Sequence, residues 1–135
     1  MKFSIFAILL ILLFSGCTTT TPTPANTPEN TLNFEKNDED EYDIIVFDSQ
    51  YDVFLMTVAK PKNFYSETYY KNKNQIYVSE WNYRNSQPFR YDPNLYAVYI
   101  DYQPNIQYGL TLEYKLYNFF KFIEWKYKVN LSFGR

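Results

Sequence analysis

The chain has 135 residues and a formal charge of −2, with 15 Tyr, 12 Phe and 2 Trp but no His, 1 Cys and 3 Gly. Without imidazole there is no Ser-His-Asp or Cys-His catalysis and no His-ligated zinc or facial-triad iron site. A lone cysteine excludes an intrachain disulfide, a thiolate zinc site and a CxxC redox pair, three glycines cannot build a Gly-rich phosphate loop, and the slight acidity gives no footprint for nucleic acid.

In chain order, the first element is a leader, MKFSIFAILLILLFSGC. Lys2 supplies a basic end and Phe3 to Phe14 is an apolar run. A dozen residues are too short to span a ~30 Å hydrocarbon core as a helix and suit a signal-peptide core. Leu13, Phe14, Ser15, Gly16 and Cys17 resemble the lipobox of bacterial lipoproteins, with Phe14 where Leu is more usual. The resemblance implies cleavage before Cys17, lipid on its sulfur and enough acyl chains for stable anchoring. An uncleaved anchor or a free thiol is the competing reading. Thr18 stands where lipoprotein sorting would place a retaining Asp, and no acidic cluster follows directly. By that analogy the expected location is the periplasmic face of the outer membrane.

Residues 18–40 are rich in Thr, Pro, Asn and acid, with Leu32 and Phe34 the sizeable apolar residues. Such a segment buries too little surface to offset its ordering entropy and reads as a flexible tether. Lys36 against Glu29, Glu35, Asp38, Glu39 and Asp40 gives it a net charge of −4. A plain spacer and a glycosylated Thr/Pro stalk are both compatible with it. The expected organisation is a signal peptide over 1–16, lipidated Cys17 and tether over 17–40, and a Tyr-rich globular domain over 41–135.

Tyr42–Phe47 reads as a buried strand. Ser49 to Asp52 has capping-box spacing, and Tyr51, Phe54, Leu55 and Val58 share a helical face that Lys60-Pro61 ends. Between Asn63 and Gln87, two short helices are expected around Tyr65–Tyr70 and Ile76–Arg84, although Gln75–Tyr83 also alternates as a strand. Pro88, Pro93 and Asn94 mark a turn-rich connection. Leu95–Tyr102 alternates as a second strand, ended by Pro104-Asn105. Leu112, Leu116, Phe119, Phe120, Ile123 and Tyr127 place a long helix over Tyr108–Lys128, with Lys126 and Lys128 suited to its C-terminal dipole. Two strands need cover, so the expected fold is a small α+β domain with three to four helices over two short strands.

The run KPKNFYSETYYKNKNQIYVSEWNYR, then YDPNLY, IDYQPNIQYG and EYKLYNFF, resembles a family of short bacterial lipoproteins known only as a domain of unknown function. It spans about Tyr42 to Val129. The resemblance implies a lipoprotein with one domain and supplies no activity, ligand or catalytic residue.

The tyrosines read either as an aromatic-lined groove or as a core that uses Tyr in place of Leu. Tyr77, Trp81 and Arg84 can share a helix face as a recognition patch, since Trp and Arg are enriched in hot spots. Equally, Trp81 can anchor the core while Glu80 pairs with Arg84. No spacing marks the facing carboxylates that a glycosidase requires. Asp38, Asp40 and Asp43 start like a calcium loop but lack its Gly and terminal Glu. Lys115, Lys121, Lys126 and Lys128 give the last helix a basic side, read as a solvated face or a surface for anionic lipid or an acidic partner. No cofactor and no metal are expected. The sequence reading is a non-enzymatic envelope interaction module that binds a protein or glycan. A small carbohydrate-acting enzyme using Asp/Glu is the alternative.

Overall fold

The computed structural model describes residues 32–36 and 42–132. The leader, Cys17 and most of the stretch read as a tether lie outside the described residues. Strand β1 (Leu32–Lys36) pairs antiparallel with β2 (Tyr42–Val46), with Leu32 opposite Val46, Phe34 opposite Ile44 and Lys36 opposite Tyr42. In a strand, alternate residues share a face. Leu32 and Ile44 on that face are buried, with Phe34, Tyr42 and Val46 packed against the core, while Glu35 and Ile45 point outward. The tether reading therefore stops short. The two apolar residues of that acidic stretch supply one face of a strand, and the described fold includes Leu32–Lys36.

Helix α1 (Ser49–Thr57) starts one residue earlier than a Ser49 cap would place it. The cap is Asp48, whose carboxylate accepts from the Gln50 N–H at 3.0 Å. The other Asp48 oxygen takes the Lys126 ammonium, so one side chain caps α1 and fastens the end of the last helix. Tyr51 and Phe54 are buried, whereas Val58 is exposed. After Pro61 a 3-10 turn (Lys62–Phe64) leads into α2 (Glu67–Asn85), capped by Ser66 Oγ on the Tyr69 N–H at 3.2 Å. This is one helix of 19 residues rather than two short ones. No Gly or Pro interrupts the stretch, and Tyr70, Asn74, Tyr77, Val78 and Trp81 form a continuous buried stripe at helical spacing.

Leu95–Tyr102 is not a strand. Leu95, Tyr96, Ile100 and Tyr102 are buried, but several of the backbone groups find their partners in side chains of α2. Trp81 Nε1 donates to the Val98 carbonyl at 2.7 Å and Asn85 Nδ2 to that of Tyr96 at 2.6 Å. Asn82 both donates to the Ile100 carbonyl and accepts from its N–H, each at 2.9 Å. Buried backbone groups require partners, and here a helix provides them in place of a neighbouring strand. Alternation alone does not distinguish the two arrangements.

Helix α3 (Leu110–Tyr127) is the central element, packed against α2, β2, α1 and the 3-10 turn. Leu112, Leu116, Phe119, Phe120, Phe122 and Ile123 have no exposed surface. Tyr127, placed on the core face by its spacing, is exposed. Gly109 precedes α3 at φ 84 and ψ 161, a region essentially reserved for glycine. A Cβ there meets nothing within 4 Å, so substitution is opposed by backbone conformation alone. Gly109→Ala is expected to lower stability by about 1–3 kcal/mol, measured by urea unfolding. An unchanged midpoint would show that the turn relaxes. Among the described residues the architecture is a small α+β domain: a two-stranded sheet and three α-helices.

Candidate functional site

Tyr77 and Trp81 are core residues, 6% and 1% exposed. The Tyr77 ring stacks on Phe120 at 5.2 Å, and Trp81 meets Tyr96 and Phe119 edge-on. The Arg84 guanidinium bonds to Glu80, to the Tyr96 hydroxyl and to the Asn130 carbonyl. It is a strut tying the tail after α3 to α2. Tyr77, Trp81 and Arg84 thus share a helix side, as their spacing suggests, but that side faces inward and offers no recognition patch. The core-anchor reading of Trp81 and the Glu80–Arg84 pair match what the structure shows.

The basic residues of α3 are similarly committed. Lys115 pairs with Asp43, Lys121 with Glu124 and Lys126 with Asp48, while the Lys128 ammonium lies 5.7 Å over the Trp125 ring. Asp43, the last residue of the calcium-like spacing, is therefore an ion-pair partner; Asp38 and Asp40 lie outside the described residues. Among the described residues no group of three or more His, Cys, Asp or Glu is placed to hold a metal ion.

An open surface feature lies on another side of α3. Tyr117, Asn118, Lys121, Glu124 and Trp125 recur at i, i+1, i+4, i+7 and i+8, one stripe of the helix. This stripe faces a groove of about 480 Å³ between the end of α1 and the start of α2. Phe54, Val58 and Ala59 form one wall, and Tyr65 and Tyr70 the other. The volume falls in the range of small-ligand clefts.

Tyrosine chemistry builds the groove. The Tyr70 ring packs 5.2 Å from Tyr117 and 5.7 Å from Tyr114, and Tyr65 stacks on Tyr69 at 4.1 Å. The tips are used too: Tyr70 donates to the Lys62 carbonyl at 3.2 Å and Tyr114 to that of Lys60 at 2.9 Å. Those bonds tie the connection between α1 and α2 to α2 through Tyr70 and to α3 through Tyr114, which Leu in either position would not do. Burial, with help from neighbouring tyrosines, pushes the Tyr117 phenol well up, so it stays neutral. On α1's side, Trp125 is 45% exposed with its ring 5.7 Å from Phe54.

The polar groups of the groove are mostly satisfied within the protein. Glu124 accepts from Lys121 at 2.5 Å with one oxygen and from the Leu131 N–H at 2.9 Å with the other. Burial works against the Lys121 ammonium, but Glu124 and the Tyr77 phenol more than offset it, leaving its pKa raised. Asn118 is 3% exposed and donates to the Tyr114 carbonyl at 2.9 Å.

A second, more polar groove of about 430 Å³ lies at the start of α3, lined in part by Tyr42, Glu67, Gln107 and Tyr108. Tyr108 stacks at 5.1 Å on Tyr102, which donates to the buried Glu113 carboxylate. Each of the two grooves is lined by one carboxylate, Glu124 or Glu67.

The family follows from the extent of the match. A family model described as Family of unknown function (DUF6146) matches residues 4–133. The chain belongs to DUF6146. The DUF6146 match takes in β1 and the residues before it, a longer span than the Tyr42–Val129 blocks that carry the sequence resemblance. It brings no activity, ligand or site residue with it. No curated protein and no solved structure matches the chain.

Sequence reasoning missed Tyr65, Tyr117, Asn118 and Trp125. The signal was present as a second periodic stripe on the last helix, out of phase with the Leu112–Ile123 core face. What it lacked was the knowledge that α1 and α2 leave that stripe uncovered.

Proposed function

We propose that this DUF6146 chain is a non-enzymatic interaction module of the bacterial envelope that takes a protein partner in the aromatic groove on α3. Lipid on Cys17 holds it at the outer membrane, facing the periplasm. The lipobox-like block supports the anchor, and the groove supports the binding role. The observation that carries the reading is the make-up of the groove: ring walls, a self-satisfied Lys121–Glu124 pair and a partly exposed Trp125. Aromatic residues are enriched in protein-binding surfaces. A glycan presents many hydroxyls and needs many free polar partners, which this lining does not offer. Hydrolysis needs two carboxyls facing across a cleft about 5–9 Å apart, and Glu124 stands alone with both oxygens occupied.

The binding role is tested in the native envelope. A photo-crosslinking residue at Trp125 is expected to give one discrete protein adduct. The same residue at Phe89, fully exposed and outside the groove lining, is expected not to. Equal labelling from both positions, or glycan adducts alone, would overturn the reading. The anchor is tested separately: Cys17→Ala should release the chain from the membrane, and mass spectrometry of the wild type should find lipid on Cys17. A wild-type Cys17 without lipid mass would refute the anchor.

A further inference from the structure

We infer that the outer side of α1, with Phe47 leading into it, rests on the bilayer that holds the lipid of Cys17, and that this surface takes zwitterionic lipid. The inference rests on the Cys17 anchor proposed above and adds which side of the domain meets the membrane. Ser49, Val53 and Met56 recur at i, i+4 and i+7, opposite the buried Tyr51 and Phe54. A helix face turned to solvent is ordinarily polar. This one exposes Val53 by 57% and Met56 by 80%, and Phe47, one residue before the Asp48 cap, is exposed by 54%. Ile45, on the outward side of β2, is exposed as well. Apolar side chains grouped in this way mark surfaces that meet protein or membrane.

The position of the anchor selects the membrane. Leu32 is paired with Val46, so its Cα lies within about 10 Å of that of Phe47. The chain therefore enters the sheet beside this surface. Residues 18–31 separate Cys17 from Leu32, a length that reaches at most about 50 Å fully extended. A link that short holds the surface at its own bilayer at an effective concentration of millimolar order, so shallow contact by a few side chains is enough. Charge selects the kind of lipid. Asp52 is the one charged residue of α1, and Asp48 beside Phe47 is paired with Lys126. Nothing in α1 attracts an anionic headgroup. Neither Val53 nor Met56 lines the aromatic groove, so contact through them leaves the groove to its partner.

The test uses the lipidated chain in phosphatidylcholine vesicles that carry a doxyl-labelled lipid as quencher. Cys17 is blocked by its lipid, so Val53→Cys takes an environment-sensitive fluorophore alone, and Ile76→Cys, at an exposed position of α2, serves as the reference. The Val53→Cys label is expected to be quenched at least about twice as strongly as the Ile76→Cys label, as for apolar side chains seated about 5–10 Å into the headgroup boundary. Phe47→Ser with Met56→Ser should bring the two labels level. Circular dichroism should show the fold unchanged, because substitutions of exposed residues cost little stability. Should that double variant fail to fold, the two labels in the otherwise unchanged chain still decide. Equal quenching at both positions, or none at either with lipid on Cys17 and the chain on the vesicles, would refute the surface and leave the anchor standing. A Val53→Cys label shielded without quenching would put a second copy on α1 and refute the surface too. Quenching that requires phosphatidylglycerol would overturn the choice of lipid. A wild type without lipid on Cys17 would overturn the anchor and this orientation together.

Discussion

Trp81→Ala is expected to lower the unfolding free energy by about 3–5 kcal/mol, the range for removing a large aromatic side chain from a packed core. Trp81 is 1% exposed, with ring neighbours Tyr96 at 5.0 Å, Phe119 at 5.3 Å and Phe120 at 6.1 Å. Its indole N–H also supplies the partner of the Val98 carbonyl. A small domain has about 5–15 kcal/mol in total, so this loss removes a large share. Trp81→Phe separates the two contributions. It retains much of the ring and leaves the Val98 carbonyl without its indole donor, for an expected loss of about 1–3 kcal/mol. Urea denaturation followed by circular dichroism measures both. A Trp81→Ala loss below about 1 kcal/mol would contradict burial in the core, since exposed substitutions fall within about half a kcal/mol.

Glu113 is the second position with a large expected effect. It has no exposed surface and stands in the first turn of α3. Its carboxylate accepts from Asn74 Nδ2 at 2.7 Å and from the Tyr102 hydroxyl at 2.9 Å. Glu113→Ala leaves both donors without that acceptor and opens a cavity; about 2–4 kcal/mol of stability is expected to be lost. The wild-type side chain also makes stability depend on pH. Burial raises its pKa, and the hydrogen bonds from Asn74 and Tyr102 only partly oppose that. The folded chain therefore holds this proton more tightly than the unfolded chain does. The contribution is complete below the ordinary carboxyl value of 4.5 and is lost as pH rises from there through the raised value. Glu113→Gln is expected to flatten that part of the profile, and unfolding midpoints of both proteins across the acid range provide the check. Parallel profiles would show that Glu113 does not titrate differently on folding.

The fold class and the central helix were legible because α3 repeats apolar residues at a period that chemistry reads without context. The start of the fold was less so. Leu32 and Phe34 sit among Asn, Glu and Lys, and their alternation gains meaning only from the Tyr42, Ile44 and Val46 face they pair with. The spacing of Tyr77, Trp81 and Arg84 revealed a shared helix side, but composition assigns no direction to that side. Whether Trp faces a partner or a core depends on what α3 and residues 95–102 bring against it. The groove was harder still, being a gap between elements. A gap is a property of how α1, α2 and α3 are set together, and no single segment encodes it.

The bond pair between Asn82 and Ile100 has a consequence for how this chain tolerates change. Position 82 must give and take a hydrogen bond at once, at a fixed reach, as a peptide group on a flanking strand would. Asp surrenders the donor, Ser is too short, and Ala forfeits both bonds. A polar residue in the middle of a helix, which inspection would rank among the freely replaceable ones, thus behaves as a backbone surrogate. Drift at that position is constrained as tightly as drift in the hydrophobic interior, and amide-to-acid ageing of this one side chain would damage the fold without touching a single apolar contact.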